Sequence, residues 1–361
     1  MKPAYIIAAY RTPVATEGGA FADISLHALA APVLQACLNH CPIPPEDVIL
    51  ANALYGGGNP ARLAALAAGL PETIAGLSID RQCAGGLDAI LLGARMVQSG
   101  AARAVLAGGA ESHSMRPIRA RKTPNGPEPY DRPPFTPWPN RDPDLHDSAA
   151  QLAQTLGITR DEQDAFAIQS HAKARAFDLS REIVPTAGLT TDAFTRNLTI
   201  KTTARATPIT GMLTAANTAI KADAAAFVLI VDAETAARCT GANPAEIVGG
   251  ITLGAAPETP ATAPVAAIKH TLQSANLTPN DLSTSEVMEA YAVQAIACQR
   301  GAQLDPATMN RGGGALARGH PIGASGAINA VRLFHELQNG GTGIAAIAAA
   351  GGIGSALLLR V

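Results

Sequence analysis

The chain contains the same structural pattern twice. Residues 86–100 and residues 326–340 each begin and end at glycine, and in both the apolar residues recur at helical spacing. Each stretch is followed by a short, continuously apolar segment and a pair of glycines. Segments without polar alternation are typical of strands covered by helices on both faces. The pattern predicts two similar α/β halves packed together, and a chance match of two α/β units is the alternative.

Both ends of the chain are predicted to be strands. The apolar segment at residues 4–10 is too short for a secretory signal, and no cleavage region follows it. The hydrophobic run at residues 343–359 is interrupted by glycines, which favours a strand, a turn and a strand over a membrane helix. We therefore expect no membrane span.

The composition argues against several classes of function. A net charge of −2 and an aromatic content of 4% argue against a basic or base-stacking nucleic-acid surface, so no nucleic-acid partner is expected. The five cysteines have no regular spacing, which argues against a disulfide framework, and no Cys/His cluster has zinc-ligand spacing. We expect a cytoplasmic protein without a metal site.

Cys83 lies where the first repeated helix is predicted to begin, beside Gly85 and Gly86. Unpaired N–H groups and the positive end of the helix dipole favour a thiolate at such a position, so the sequence predicts a nucleophile with a lowered pKa. A buried structural cysteine is the alternative, because free cysteine is often buried.

His320 precedes the second repeated helix as Cys83 precedes the first. If a pseudo-two-fold axis relates the halves, the two side chains meet between them. A cysteine beside a histidine is a nucleophile with its base. A lone histidine before proline in a glycine-rich turn is more often structural, but the pairing with Cys83 favours catalysis.

The segment at residues 115–145 differs from the repeats. It holds nine prolines, which predicts an irregular loop, and its cations form either a solvated surface or a site for a phosphate-bearing ligand. These cations are Arg116, Arg119, Arg121 and Lys122. A helix capped by Thr159, with Glu162 three residues later, is predicted to follow.

Motifs along nearly the whole chain resemble those of the thiolase family, the acetyl-CoA acetyltransferases and 3-ketoacyl-CoA thiolases. The most specific are Arg11-Thr12-Pro13, Gly108-Gly109-Ala110-Glu111-Ser112, Arg160-Asp161-Glu162-Gln163-Asp164, Glu182-Ile183-Val184-Pro185 and Gly319-His320-Pro321-Ile322-Gly323-Ala324-Ser325-Gly326. The resemblance implies duplicated α/β halves in five layers, αβαβα. We expect the first half at residues 1–245, with a loop domain inserted at about residues 113–215, and the second half at residues 246–361.

The resemblance also implies a chemistry. A thiolase transfers an acyl group from acyl-CoA to its cysteine, and a second acyl-CoA then loses an α-proton and attacks the thioester. Carried over, Cys83 is the nucleophile, and His320 activates it and donates to a thioester oxygen. The backbone N–H groups of Cys83 and Ala350 would form an oxyanion hole. No covalently bound cofactor is implied, because the coenzyme A thioester is a substrate.

Two positions that carry chemistry in the family are altered. Met288 stands where the family has the asparagine that holds a water at the enolate oxygen, and methionine has no N–H donor. Ala348 stands where the family has the cysteine that removes the α-proton, which alanine cannot do. Condensation is therefore expected to be impaired or altered, since acid–base groups supply about 10²–10⁴ in rate.

Other positions near the expected site also differ. Tyr291 takes the place of a family phenylalanine and Ala219 that of a serine that contacts the pantetheine arm, and both are expected to line the substrate site. Cys298 is a candidate substitute base, although its apolar neighbours favour a core position. Cys37, Cys41 and Cys239 lie outside any motif.

Three functions remain open on the sequence. The first is a thiolase-family acyltransferase that forms an acyl-cysteine from acyl-CoA. The second is an enzyme of altered chemistry, either a decarboxylative condensing enzyme or an acyl-CoA hydrolase. The third is a non-catalytic subunit that binds coenzyme A or a partner protein. The resemblance further implies a homodimer or homotetramer.

Overall fold

The structure is a computed structural model that describes residues 2–40, 42–239 and 243–361, so Cys41 lies outside the described residues. The strands are β1 (Ala4–Arg11), β2 (Ala15–Thr16), β3 (Asp47–Ala51), β4 (Leu77–Ile79), β5 (Ala104–Glu111), β6 (Ala120–Thr123), β7 (Gly126–Pro129), β8 (Pro208–Thr210), β9 (Leu213–Thr214), β10 (Ala222–Asp232), β11 (Ala245–Gly254), β12 (Thr284–Val287), β13 (Thr342–Ala349) and β14 (Ile353–Arg360). The helices are α1 (Leu26–Leu38), α2 (Pro60–Ala67), α3 (Gly85–Ser99), α4 (Leu145–Leu156), α5 (Arg160–Ala176), α6 (Ile200–Thr203), α7 (Ala233–Ala236), α8 (Ala263–Ser274), α9 (Ala292–Gly301), α10 (Ala315–Arg318) and α11 (Ile322–Glu336).

The main sheet is mixed and runs in the order β12–β13–β14–β11–β1–β10–β5–β3–β4. The strands of the first half join those of the second through a short antiparallel pairing, in which Tyr5 and Ile6 of β1 face Glu246 and Ala245 of β11. The predicted strands at both ends of the chain are present as β1 and as the hairpin of β13 and β14.

The central strands are buried on both faces, as their unbroken apolar sequence predicts. Along β10, Ala226 and Val228 pack into the core between the halves, whereas Phe227 and Leu229 pack into the outer core of the first half. Helices α3 and α11 lie between the halves, α1 and α2 cover the outside of the first, and α8 covers the outside of the second. The layers are αβαβα, which confirms the predicted fold class.

The two central helices cross at glycines. A Cβ atom on Gly86 would lie 2.7 Å from the backbone nitrogen of Ala327, and one on Gly326 would lie 2.6 Å from that of Leu87. Real side chains do not tolerate such distances, so only glycine allows these two backbones to approach. The two halves therefore meet backbone to backbone.

The predicted bounds of the second repeated helix were wrong by about one turn. Helix α3 ends as predicted, at Gly100 with φ +80°. Helix α11 instead begins at Ile322, directly after Pro321, and carries Gly326 inside its first turns. At its other end Gly340 follows a separate 3₁₀ turn, Leu337–Asn339. Gly326 contacts α3 from inside α11 and does not mark the start of the helix. The spacing of glycines in the sequence does not distinguish these two roles.

The segment at residues 115–145 is less irregular than predicted, because β6 and β7 pair as a short antiparallel hairpin within it. The helix predicted after it is α5, and the Thr159 side chain accepts a hydrogen bond from the Glu162 N–H over 3.2 Å. Of the predicted cations, Arg116 pairs with Glu17, Arg119 donates to the Ala53 carbonyl, and Arg121 stacks on Tyr130. Three of the four cations therefore already contact other residues of the protein.

A buried ion-pair network ties the first strand to the central layer. Arg11 at the end of β1 donates to Glu182 and Asp192, each over 2.6 Å. Arg332 on α11 donates to the other oxygen of Glu182 over 2.7 Å and to Glu336 over 2.6 Å. Both arginines are fully buried. Both arginines donate to Glu182. This carboxylate therefore links β1, the loop that contains residue 182, and α11.

Among the described residues, no helix combines the length and the apolar character that crossing a membrane requires.

Candidate active site

Cys83 lies in a 3₁₀ turn, Gln82–Ala84, that leads directly into α3. The preceding Gln82 has φ +48°, a conformation that non-glycine residues rarely adopt. The Asp80 carboxylate stabilises this turn by accepting from the Gln82 N–H over 2.8 Å. Such strain is tolerated where the surroundings fix the backbone, and here it presents the thiol between the two halves.

His320 is held by hydrogen bonds on three sides. Its backbone N–H donates to the Ile220 carbonyl over 2.8 Å, its Nδ1 lies 2.7 Å from Ser325 Oγ, and its Nε2 lies 3.2 Å from Cys83 Sγ. Gly319, with φ +111°, makes the turn that allows this placement. The structure thus brings the two predicted residues together.

The hydrogen bonds around His320 assign its tautomer. The single hydroxyl proton of Ser325 is donated to the Pro321 carbonyl over 3.2 Å, so Ser325 Oγ accepts from His320. Nδ1 is then the protonated nitrogen, and Nε2 is the acceptor that faces the thiol. This is the arrangement that a general base for Cys83 requires.

The prediction of a lowered thiol pKa was wrong. Burial raises the pKa of Cys83 to about 12, even though the backbone N–H groups of Cys83 and Ala350 hydrogen-bond the sulfur and oppose the shift. Burial also lowers the pKa of His320 to about 4. Because the charged forms of both groups lose their hydration, the pair rests as thiol and neutral imidazole. The loss of hydration therefore changes the pKa of Cys83 more than the N-terminus of α3 does.

The N–H groups of Cys83 and Ala350, proposed from the sequence as an oxyanion hole, both lower the pKa of the thiol by hydrogen bonding, and Ala350 lines the cavity beside Cys83. A thioester oxygen on this sulfur would lie near them, as oxyanion stabilisation requires. The role of these two groups stays a prediction that the geometry supports.

A cavity of about 120 Å³ opens above the thiol and contains most of the predicted site residues. Cys83, His320, Ala219, Tyr291, Ala348 and Ala350 all line it. Met288 does not; it is buried in the core between the halves. Cys298 is also absent from the lining, since its sulfur is fully buried and donates to the Ala261 carbonyl over 3.3 Å. The sequence alternative of Cys298 as a substitute base is therefore wrong.

Several residues of the site were given no role in the sequence predictions. Glu111, at the end of β5, accepts hydrogen bonds from the side chain of Asn52 and from the N–H groups of Ala53, Leu54 and Gly323. Burial raises its pKa to about 7, although those N–H donors favour the ionised form. The bond to Gly323 fixes the first turn of α11, next to His320.

The cavity is also lined by polar groups that no motif signalled. His146 and Ser148 come from α4, Thr218 from the loop before β10, and Gln294 from α9. Gln294 accepts from the Ala290 N–H over 3.0 Å, which fixes the turn before α9. The Asp144-Leu145-His146 sequence, a helix cap followed by a histidine, was the available signal for His146.

Within the part of the chain that the structure describes, no group of three or more His, Cys, Asp or Glu side chains is arranged to hold a metal ion.

Comparison with known proteins agrees with the geometry. The family model described as "Thiolase, N-terminal domain" matches residues 4–234, and that described as "Thiolase, C-terminal domain" matches residues 242–361. Among curated relatives, the chain is 37% identical to "Putative acetyl-CoA C-acetyltransferase YhfS" of Bacillus subtilis, and 34% identical to "Putative acetyl-CoA C-acetyltransferase VraB" of Staphylococcus aureus. Each comparison covers 99% of both chains.

Solved structures give the same assignment. The acetyl-CoA acetyltransferase of Bacillus anthracis matches with a TM-score of 0.89 and 31% identity, over 100% of this chain and 99% of that one. The human mitochondrial 3-ketoacyl-CoA thiolase matches with a TM-score of 0.89 and 29% identity, over 99% of both chains. The duplicated fold, the paired Cys83 and His320 and these matches lead to one assignment: the chain belongs to the thiolase family of acyltransferases.

Proposed function

We propose that the protein transfers an acyl group from acyl-CoA to Cys83 and then to a second acyl-CoA. One observation carries the proposal: His320 Nε2, held by Ser325 in its acceptor form, lies 3.2 Å from Cys83 Sγ. A thiol with a pKa of about 12 is a poor nucleophile unless a base removes its proton during attack.

In the first step His320 takes the Cys83 proton as the sulfur attacks the thioester carbonyl. The developing oxyanion lies beside the N–H groups of Cys83 and Ala350, and the proton on His320 passes to the departing coenzyme A sulfur. These groups are all present in the chain, so formation of the acyl-cysteine does not depend on the altered positions. A cavity of about 120 Å³ is large enough for an acetyl group.

Acylation is tested by intact-mass measurement after mixing the protein with acetyl-CoA. We expect one added acetyl group, located on Cys83 by peptide mapping. The Cys83→Ala variant should show none, and His320→Asn should acylate more slowly by about 10²–10⁴. Absence of an adduct with acetyl-CoA and with longer acyl-CoA would contradict the proposal and favour the non-catalytic role.

Decarboxylative condensation is the second candidate, and Ala348 is the observation that favours it. Its methyl group lines the cavity and can accept no proton. Malonyl-CoA would supply the carbanion by losing carbon dioxide. Release of carbon dioxide and a condensed product from malonyl-CoA, with no product from acetyl-CoA, would select this function.

Three further expectations belong to this proposal. The division into residues 1–245 and 246–361, with a loop domain at about 113–215, is consistent with the long segment between β5 and β10.

A homodimer or homotetramer is supported by apolar side chains that are exposed on that segment, such as Ile118. Sedimentation analysis tests the oligomeric state. A cytoplasmic location is supported by the free thiols of Cys83, Cys239 and Cys298.

A further inference from the structure

We propose that His146 is the base that removes the α-proton from the second acyl-CoA. The proposal rests on the function proposed above, since it concerns the step after acylation of Cys83. That step needs a proton acceptor facing the cavity, because a carbon–hydrogen bond must break before the carbon can attack.

The cavity offers few groups for this purpose. Its ionisable side chains are Cys83, His146, Tyr291 and His320. Cys83 carries the acyl group at this stage, and Nε2 of His320 faces the sulfur that holds it. Tyr291 is a phenol whose burial raises its pKa, so it keeps its proton. His146 is the remaining imidazole.

The backbone of His146 is fixed, while Nδ1 of its ring makes no hydrogen bond to the described residues. The Asp144 carboxylate accepts from its backbone N–H over 2.8 Å and caps α4. The ring packs edge-on against Tyr291, with centroids 5.5 Å apart. Its Nδ1 is buried without a hydrogen-bond partner among the described residues. A buried ring nitrogen without a partner is costly, which points to a role that uses the imidazole.

Ala348 lines the same cavity and presents only a methyl group, so it supplies no proton acceptor. Tyr291 and His146 belong to different elements, the N-terminus of α9 and the first turn of α4, yet they pack together in the lining of the cavity. His146 thus shares the cavity with Ala348.

The step is balanced without any further reagent. The α C–H bond breaks and its proton passes to the His146 ring, while the electron pair forms the carbon–carbon bond to the acyl carbon on Cys83. The bond between that carbon and the Cys83 sulfur then breaks. The sulfur keeps the pair, and the proton held by His146 returns to the pair of Cys83 and His320, which restores the thiol and releases a 3-ketoacyl-CoA.

The experiment separates this step from acylation. Wild-type protein is incubated with acetyl-CoA in D₂O, and three quantities are followed: the acetyl adduct on Cys83, deuterium in the acetyl-CoA methyl group, and acetoacetyl-CoA. For His146→Gln and His146→Asn we expect the adduct to form, while deuterium incorporation and product fall by about 10²–10⁴. His270→Gln, an exposed histidine on α8, is the matched control.

Two further measurements distinguish a catalytic base from a residue that only packs against its neighbours. Product from malonyl-CoA should survive in His146→Gln, because decarboxylation needs no proton removal. Ala348→Cys combined with His146→Gln should recover deuterium exchange, because a thiol then faces the cavity. Wild-type exchange in the His146 variants, or loss of acylation and exchange together in both, overturns the inference. Failure of the wild type to acylate overturns the proposed function instead.

Discussion

Glu111 accepts a hydrogen bond from the backbone N–H of Gly323 over 3.0 Å, which joins the end of β5 to the first turn of α11. The same carboxylate also accepts hydrogen bonds from Asn52, Ala53 and Leu54. Glu111 is thus the acceptor in all four of these contacts. Because His320 lies just before this turn, the position of the base depends on a carboxylate from the other half.

Replacing Glu111 with glutamine should therefore weaken both fold and activity. An amide turns an N–H group toward backbone donors, and losing hydrogen bonds to a charged group costs about 1.5–3 kcal/mol. We expect the free energy of unfolding in urea to fall by about that amount, and acylation of Cys83 to slow. Glu128→Gln, an exposed change in the β6–β7 hairpin, should alter neither. Equal stability of both variants would contradict this role.

In the Glu111→Gln variant, which lacks the carboxyl group with a pKa of about 7, the acylation rate should be insensitive to pH over most of the range in which the protein is folded. Only the neutral imidazole accepts the Cys83 proton, and burial lowers the pKa of His320 to about 4. The rate of this variant should stay constant between about pH 5 and 8 and fall as the pH approaches 4. Rapid quenching with mass detection measures the rate, and circular dichroism confirms folding. A decline centred near the ordinary histidine pKa would contradict the assignment.

Ser325→Ala should slow acylation by about tenfold or more without preventing folding. The hydroxyl keeps the His320 proton on Nδ1, and without it the ring can carry the proton on the nitrogen that faces the thiol. The matched control is Ser274→Ala, which removes a similar bond to the exposed His270. If the two variants acylate at the same rate, Ser325 does not set the tautomer.

Arg11→Met should destabilise the protein strongly. It leaves two buried carboxylates, Glu182 and Asp192, without one of their cations, and breaking a buried pair typically costs about 3–5 kcal/mol. The control is Arg103→Met, which removes a partly exposed ion pair with Asp232 and should change little. Urea unfolding of both variants measures the difference, and similar midpoints would argue against the network.

Gly86→Ala should separate the central helices and reduce both stability and acylation. The added methyl would lie 2.7 Å from the Ala327 nitrogen, and overpacking of this kind typically costs about 1–3 kcal/mol. Gly249→Ala is the control, since nothing lies within 4 Å of its added methyl. Wild-type acylation in the Gly86 variant would show that the helix crossing does not position the thiol.

The sequence was sufficient for the layers of the fold and for the pairing of Cys83 with His320. The repeat makes the two residues equivalent, so their meeting requires only that the halves pack symmetrically. The raised pKa of Cys83 could not be predicted from the sequence, because it depends on how deeply the folded protein buries the thiol. The residues next to Cys83 in the chain do not determine that burial.

Other parts of the site arise from contacts that no local pattern encodes. Glu111 and Gly323 are distant in the chain, and their bond exists only once β5 and α11 are packed. His146 lies at the start of a helix after a proline-rich segment, where the sequence gives no register relative to Cys83. Met288 occupies a position that matters in the family, but the structure buries it away from the cavity.

The glycine crossing and the walls of the cavity are built from different residues. The distance between thiol and imidazole is set where backbone meets backbone at Gly86 and Gly326, whereas the cavity above is lined by exchangeable side chains. Residues such as Ala219, Tyr291 and Ala348 can therefore be substituted without moving the reactive pair. The lining of the cavity can therefore be redesigned residue by residue to accept other acyl groups.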